Sequence, residues 1–296
     1  MNLKPIITIG LCVKNSEKTV SEAIKSIINQ DFSDGLMELI VVDGYSKDRT
    51  LSIIREALAQ RKIKTRVFFE GKGLGFARQI VVDKAVGEYI IWVDGDIVLS
   101  DNYVNKQVDF MEKHPQAGIA SGCLGIMPDD NWVALLEDIG YVIESLRQKG
   151  KIATNLLGTK GTIFRTKAIR MVGGFDLRFR GAQEDLDASW RMVLAGWKSY
   201  VTDAILFEKQ KKTWSALWKR HFWYGYGLHI FQHKNKAHNM ITNKSTDRIL
   251  FSSQAYKLTH RKVTFLLPLI FIFRKAALVI GFMKAHFDGY GHDFND

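Results

Sequence analysis

The stretch that most limits how this chain can fold is Tyr89-Ile90-Ile91-Trp92-Val93-Asp94-Gly95-Asp96. Its five successive β-branched or aromatic residues form a strand that can be covered on both faces, and two carboxylates around a glycine close its C-terminal end. A strand buried on both sides belongs inside an α/β sheet, which receives its ligand in the crevice beyond the C-terminal strand ends. If the strand continues through Asp96, alternation puts both carboxylates on one side, and Gly95 lets another group approach the backbone. Two hard oxygen donors on one rim suit a divalent cation and a diphosphate held through it. Aspartate and glycine are also ordinary turn formers, so the triplet takes chemical meaning only from its neighbours.

Upstream, strands and helices alternate. Ile6 to Val13 reads as a strand, Lys14-Asn15-Ser16-Glu17 as a loop, and Thr19-Val20-Ser21-Glu22 has the spacing of a capping box opening a helix. Met37 to Val42 is a second strand, followed by the polar turn Asp43 to Thr50 and another helix. Thr65 to Phe69 leads through Gly71-Lys72-Gly73-Leu74-Gly75 into a third helix. This alternation predicts an α/β fold, a doubly wound and mainly parallel sheet flanked by helices. The glycines do not make a dinucleotide fingerprint, because their spacing is G-x-G-x-G and they follow the third strand instead of the first.

Downstream, a helix is expected from about Asn102 to Lys113 and a short strand from Gly118 to Ser121, while Asn131 to Gln148 reads as less regular. A strand and turn at Gly161 to Arg165 and a helix to Val172 precede the sharp Gly173-Gly174-Phe175-Asp176. Gln183-Glu184-Asp185-Leu186-Asp187 then opens a helix predicted to turn Leu186, Trp190, Val193 and Leu194 to the core. Acids in a first turn suit the helix dipole, and the same placement holds a carboxylate rigidly at a cleft rim.

A length of 296 residues, 46% hydrophobic and 25% charged, bounds the chain to one long domain, or a domain with an appendage, and excludes global disorder. Nearly all of the net charge of +11 lies late: from Leu206 onward there are fifteen Lys and Arg against five Asp and Glu. Such a region favours polyanions. Nucleic acid is disfavoured, because the basic residues are mixed with long apolar runs and no recognition motif occurs. Cys12 and Cys123 read as buried thiols in a reducing compartment. Met1 to Pro5 runs into a strand without a cleavage pattern, so a cytoplasmic location is expected, peripheral on the inner face of the cell membrane.

Trp214, Leu217, Trp218, Phe222 and Tyr226 recur at helical spacing among Lys219, Arg220 and His221, which suits either a core helix or one lying in a membrane interface. Val263 to Phe273 and Ala276 to Met283 are apolar but divided by Arg274 and Lys275. A run of 11 residues is short of the roughly 20 a span needs, and two central charges oppose insertion. An anchor lying on an anionic bilayer is therefore expected. This divides the chain into a catalytic part, 1–212, and a helical, basic extension, 213–296. His229 and His233 stand four residues apart without an acidic or thiol partner and read as surface histidines; the tail from Asp288 reads as frayed.

Taken in order, these motifs resemble the inverting family 2 glycosyltransferases of GT-A fold, from Ile6 to about Gly227. Asn15 and Glu17 resemble that family's first nucleotide-contacting loop, and Asp43 to Thr50 its Asp-x-Gly-Ser-x-Asp-x-Thr turn. Gly75 to Arg78, here Gly-x-x-Arg, resembles its glycine-to-arginine segment, and Asp94-Gly95-Asp96 its Asp-x-Asp metal motif. Gly173-Gly174-Phe175-Asp176 with Glu184, Asp185 and Arg191 resembles its acceptor side. Gly44 stands where many members carry a second aspartate, and Glu208 where many carry a histidine.

The resemblance implies a nucleotide-diphosphate sugar contacted by Asn15, Glu17, Asp43, Arg78 and Asp94. Mn²⁺ or Mg²⁺ would be held by Asp96, Asp94 and Glu208. Asp185 would serve as base, with Glu184 on acceptor or sugar hydroxyls. Lys209, Lys211 and Lys212 would either assist the leaving diphosphate or form a solvated basic loop, and Arg78 and Arg165 are expected to face the cleft. The processive synthases' Gln-x-x-Arg-Trp is missing, which implies a single transfer per encounter to a lipid-linked or glycan acceptor. Two alternatives are a sugar nucleotidyltransferase, whose glycine-rich first loop has no counterpart in Leu11 to Glu17, and a non-catalytic membrane-binding protein on the same sheet.

Overall fold

The strand over Tyr89–Asp94 runs through the interior of an eight-stranded sheet, its side chains alternating between two apolar layers. The structure, a computed structural model, describes residues 5–59, 61–127, 131–179, 182–236 and 248–290. The strands are β1 (Ile7–Val13), β2 (Met37–Asp43), β3 (Lys64–Phe69), β4 (Tyr89–Asp94), β5 (Ile97–Leu99), β6 (Ala117–Leu124), β7 (Ile163–Arg165) and β8 (Lys198–Glu208). The helices are α1 (Val20–Ile28), α2 (Thr50–Leu58), α3 (Leu74–Lys84), α4 (Tyr103–Lys113), α5 (Trp132–Gln148), α6 (Thr166–Met171), α7 (Glu184–Leu194), α8 (Trp214–Lys234), α9 (Arg248–Thr259) and α10 (Leu267–Phe287).

The sheet order is β3-β2-β1-β4-β7-β6-β8-β5. The first four are parallel, β7 is antiparallel to both neighbours, β6 and β8 are parallel, and β5 closes the edge antiparallel to β8. Tyr89, Ile91 and Val93 join one core with Leu11, Ile24 and Leu39; Ile90 and Trp92 join the other with Val81, Phe164 and Phe175. Each such side chain contributes about 1.5–3 kcal/mol by leaving water. Register pairs Val13 with Asp43 and Cys12 with Asp94, so the C-terminal ends of β1, β2 and β4 finish level. Both cysteines are buried and free, and burial pushes the Cys12 thiol up to about 12.

Several elements depart from expectation. The capping box does not form: the Thr19 hydroxyl donates to the Ser16 carbonyl and Glu22 pairs with Lys209. Residues 132–148 form one regular helix, capped by Asn131, whose side chain accepts from the Ala134 amide at 3.0 Å. They read as irregular because the buried face carries Glu137 and Asp138 beside Leu136 and Ile139. Helix α7 likewise buries Glu184, Asp187, Ala188, Ser189 and Met192, while Val193 and Leu194 are exposed. Its inward acids meet cations, Asp187 pairing with Arg191 and Lys234.

Helix α10 runs unbroken through Arg274 and Lys275. Lys275 is exposed, whereas Arg274 turns inward to Glu137 at 3.5 Å and donates to the Tyr141 hydroxyl at 2.6 Å. One of the two charges expected to oppose insertion is therefore spent inside the protein. Among the described residues, Lys262–Phe287 is the one helical segment long and apolar enough to cross a membrane, by length and composition alone. Trp214 and Trp218 pack edge-on against Phe273 at 4.8 and 5.2 Å, so this part of the aromatic stripe is core. Helices α8 and α10 meet backbone to backbone: a Cβ on Gly225 would fall 1.9 Å from the Leu278 carbonyl oxygen, and one on Gly281 2.0 Å from that of Phe222. The tail beyond residue 290 lies outside the described residues.

Candidate active site

At the C-terminal ends of β1 and β2 the two following loops are sewn together. The Asn15 amide donates to the Ser46 hydroxyl at 2.9 Å, and the Asn15 side chain accepts from the Lys47 amide at 2.9 Å. The Glu17 amide donates to Asp48 and the Glu17 carboxylate accepts from the Arg49 amide, both at 3.1 Å. Asn15 and Tyr45 adopt positive φ, 50° and 57°, conformations that a tertiary network must hold. Asn15 and Glu17 thus hold the loop after β1 to the loop after β2. Asp43 lies buried beneath them at the end of β2, with Oδ1 accepting from the Ser46 amide at 2.7 Å and Oδ2 without a protein partner.

Across β4, Arg78 on α3 is buried and gathers three acids that are distant in sequence. Its guanidinium stands 2.5 Å from Glu184, 3.4 Å from Asp94 and 3.8 Å from Asp185. Gln183, in a left-handed conformation at φ 81°, turns the chain so that α7 opens with both acids at this point. Asp185 also accepts from the Thr159 amide at 3.1 Å, and Gly158 makes room for it: a Cβ there would sit 2.7 Å from its Oδ2. Burial pushes Glu184 up to about 7, against the pull of Arg78 and with Asp185 adding to the rise. Burial likewise pushes Asp94 up to about 6, Arg78 opposing and Asp96 and Asp185 reinforcing. The Glu184 side chain is 1% exposed and meets Arg78 with one oxygen, while Asp185 keeps 21%.

Strand β4 ends at Asp94, and Asp96 follows in the turn to β5. Asp96 belongs to a second cluster. Arg220, from α8, lies 3.9 Å from Asp96, 3.3 Å from Glu208 and 3.9 Å from Glu137. Lys160 pairs with Glu208, and Lys211 stands 3.7 Å from Asp96. Burial raises Asp96, with Glu208 adding to the rise and Lys211 and Arg220 opposing it. For Glu208, burial is outweighed by Lys160 and Arg220, and its carboxyl is held below the usual range. Both of its oxygens are engaged by cations or by the Gln210 amide, at 2.8 Å.

Of the residues singled out in sequence, Asp43, Arg78, Asp94, Asp96, Asp185 and Glu208 stand on this edge of the sheet. Lys209 pairs with Glu22, leaving Lys211 as the lysine of that loop within ion-pair range of Asp96 among the described residues. Arg165 does not face the cleft. Its guanidinium donates to the Met111, His114 and Ala117 carbonyls and lines a cavity of about 540 Å³ beside Gly87 and Glu88, at the N-terminal end of β4. Sequence reasoning missed Lys160 and Arg220. Nothing marks Lys160 beyond a glycine beside it, and Arg220 was counted into the surface charge of a basic helix. The expected boundary at 212/213 falls between β8 and α8, and Arg220 reaches across it.

Residues 8–172 match the family model described as glycosyl transferase family 2, more than half of the chain. The chain belongs to glycosyl transferase family 2. Similar proteins include EpsE of Bacillus subtilis (strain 168), which bears a glycosyltransferase name and is 26% identical over 232 residues, 76% of this chain and 79% of that one. The poly-beta-1,6-N-acetyl-D-glucosamine synthase of Staphylococcus epidermidis is 23% identical over 258 residues, 86% of this chain and 62% of the synthase. In fold, the chain is similar to the mannosyltransferase PcManGT from Pyrobaculum calidifontis, with a TM-score of 0.60, 21% identity and coverage of 93% of this chain and 74% of that one. It is also similar to S. aureus TarS 1-349 in complex with UDP, with a TM-score of 0.54, 16% identity and coverage of 97% and 91%. The fold is thus of GT-A type. The family 2 match ends before Glu184, Asp185, Glu208 and Arg220, so later chain supplies much of both clusters.

Proposed function

We propose that this family 2 enzyme moves a sugar from a nucleoside-diphosphate sugar to a lipid-linked or glycan acceptor, with inversion, with Mn²⁺ or Mg²⁺, and one sugar per encounter. The observation that carries this reading is Arg78, which draws Asp94, Glu184 and Asp185 together at the C-terminal end of β4. Two fold neighbours support the donor class, one solved with GDP-Man and Mn²⁺, the other with UDP and with UDP-GlcNAc.

The donor atoms suit a hard cation. Asp94 and Asp96 offer carboxylate oxygens, are 33% and 24% exposed, and are both held above the usual carboxylate range by burial and by neighbouring acids. A divalent ion bound by Asp94 and Asp96 would relieve that crowding and supply charge for the diphosphate. Glu208 then anchors Lys160 and Arg220, which with Lys211 face charge developing on the leaving group. The unpartnered Oδ2 of Asp43 suits an N–H or O–H of the nucleoside. Asp185 takes the proton of the attacking hydroxyl, and Glu184 positions Arg78 beneath it.

The test is transfer and hydrolysis of UDP- and GDP-sugars with and without Mn²⁺, repeated with Asp185→Asn. The variant keeps nucleotide affinity and loses about 10²–10⁴-fold in turnover. Wild-type turnover in Asp185→Asn would refute the assignment of the base.

Membrane contact is part of the same proposal: a cytoplasmic enzyme peripheral on the inner face of the cell membrane. Leu269, Ile272, Val279, Ile280 and Met283 are exposed along α10, beside basic residues suited to an anionic surface. Full-length Ile272→Glu should float less with anionic liposomes than wild type; equal flotation removes the anchor.

A further inference from the structure

Helices α8 and α10 carry a cluster that neither the sugar-transfer chemistry nor the membrane face uses. His229 is buried, and at the same level stand His233, one turn further along α8, and His286 on α10. The Nε2 of His229 lies 3.1 Å from Nε2 of His233 and 3.3 Å from Nδ1 of His286, and the three ligand atoms fall within 4.8 Å of one another. In sequence His229 and His233 lacked a third partner. The fold supplies it from 53 residues further on, because the glycine contact fixes the register of the two helices.

We propose that His229, His233 and His286 bind a borderline divalent transition metal, Zn²⁺ in the first instance, which clips α10 to α8. Three nitrogens at about 2.0–2.1 Å from a tetrahedral ion stand roughly 3.3 Å apart, which is the separation the two measured pairs already approach. The tautomer of the central ligand is set as well. Nδ1 of His229 donates to the Tyr290 carbonyl at 2.7 Å, so its Nε2 presents a lone pair to the other two rings. A backbone carbonyl behind the ligating imidazole is the usual outer partner at a metal site. Phe282 packs edge-on against His229 at 4.9 Å and gives the site an apolar wall. An all-imidazole set selects Zn²⁺, Ni²⁺ or Cu²⁺ over Mg²⁺ and Mn²⁺, so this site is chemically separate from Asp94 and Asp96. His286 is exposed and leaves the ion a route from solvent.

The test uses untagged, full-length protein stripped with a chelator and titrated with Zn²⁺ or Co²⁺. The expected results are one ion per chain by mass spectrometry, a tetrahedral Co²⁺ absorption and a Zn²⁺-dependent rise in melting temperature. His286→Gln and His233→Gln should each weaken Zn²⁺ binding by at least about tenfold, the loss seen even for outer-shell partners. Asp96→Asn should leave Zn²⁺ affinity and the Co²⁺ spectrum unchanged. Because His286 is exposed, the metal-free His286→Gln protein should melt with the metal-free wild type, so its loss of binding would not reflect unfolding. Wild type that takes up no Zn²⁺ at micromolar concentration, or variants that bind it as tightly as wild type, would overturn the proposal.

Discussion

Arg78 and Arg220 each gather three acids, and Asp94-Gly95-Asp96 is divided between them, one carboxylate to each side. Around Arg78 the acids outnumber the cations. Asp94 and Glu184 are held up at about 6 and about 7, a range in which a carboxyl exchanges protons near neutral pH. Around Arg220 the cations are more numerous: Lys160, Lys211 and Arg274 join it, and Glu208 and Glu137 are held down despite their burial, while Asp96 alone of the three acids is raised. The first cluster is rich in carboxyls and the second is suited to holding a polyanion. The proposed transfer uses both, and the Asp94-Gly95-Asp96 motif at the end of β4 is the seam between them.

Removing Arg78 should break this contrast most severely. Arg78→Met leaves buried carboxylates uncompensated and should destabilise the fold by about 3–5 kcal/mol, read from urea denaturation; unchanged stability would show that the acids do not depend on it. Arg220→Gln should mainly slow turnover, by about 10²-fold, through lost leaving-group stabilisation. Its pH profile should keep its wild-type shape, whereas a shifted profile would mean the two clusters titrate as one.

The pH response of stability comes next. Glu184 holds its proton more tightly folded than unfolded, at about 7 against 4.5, so its contribution is complete below pH 4.5 and is lost as pH rises to about 7. Melting temperature should fall across that window in wild type and fall less steeply in Glu184→Gln. The smallest effect belongs to the frame that carries Glu137 to Arg220: Asn131→Ala removes the N-cap of α5 and should lower stability by about 1 kcal/mol in chemical denaturation.

The Arg78 side was largely legible in the sequence and the Arg220 side largely was not. Strands β1 to β4 announce themselves by apolar runs between helical periods, and the resemblance to the family's motifs singles out Arg78, Asp94 and Asp185. Period-based reading assumes that buried faces are apolar. It therefore misjudged α5 and α7, whose inward faces carry Glu137, Asp138, Glu184 and Asp187. Arg220 and Arg274 were read as surface charge for the same reason, since only the acids facing them, far away in sequence, give them an interior role. Glu208 was read as a metal ligand by position, before Lys160 and Arg220 were known to surround it.

The glycine contact between α8 and α10 has a mechanical consequence. Helix interfaces normally yield because side chains can change rotamer, and here the main chains touch at Gly225 and Gly281 with nothing between them to give. Helix α10 is therefore seated against the stretch of α8 that follows Arg220, with no side chain at the contact to adjust its distance. A larger residue at Gly225 or Gly281 would have to move the helix whose Arg220 meets Asp96 and Glu208.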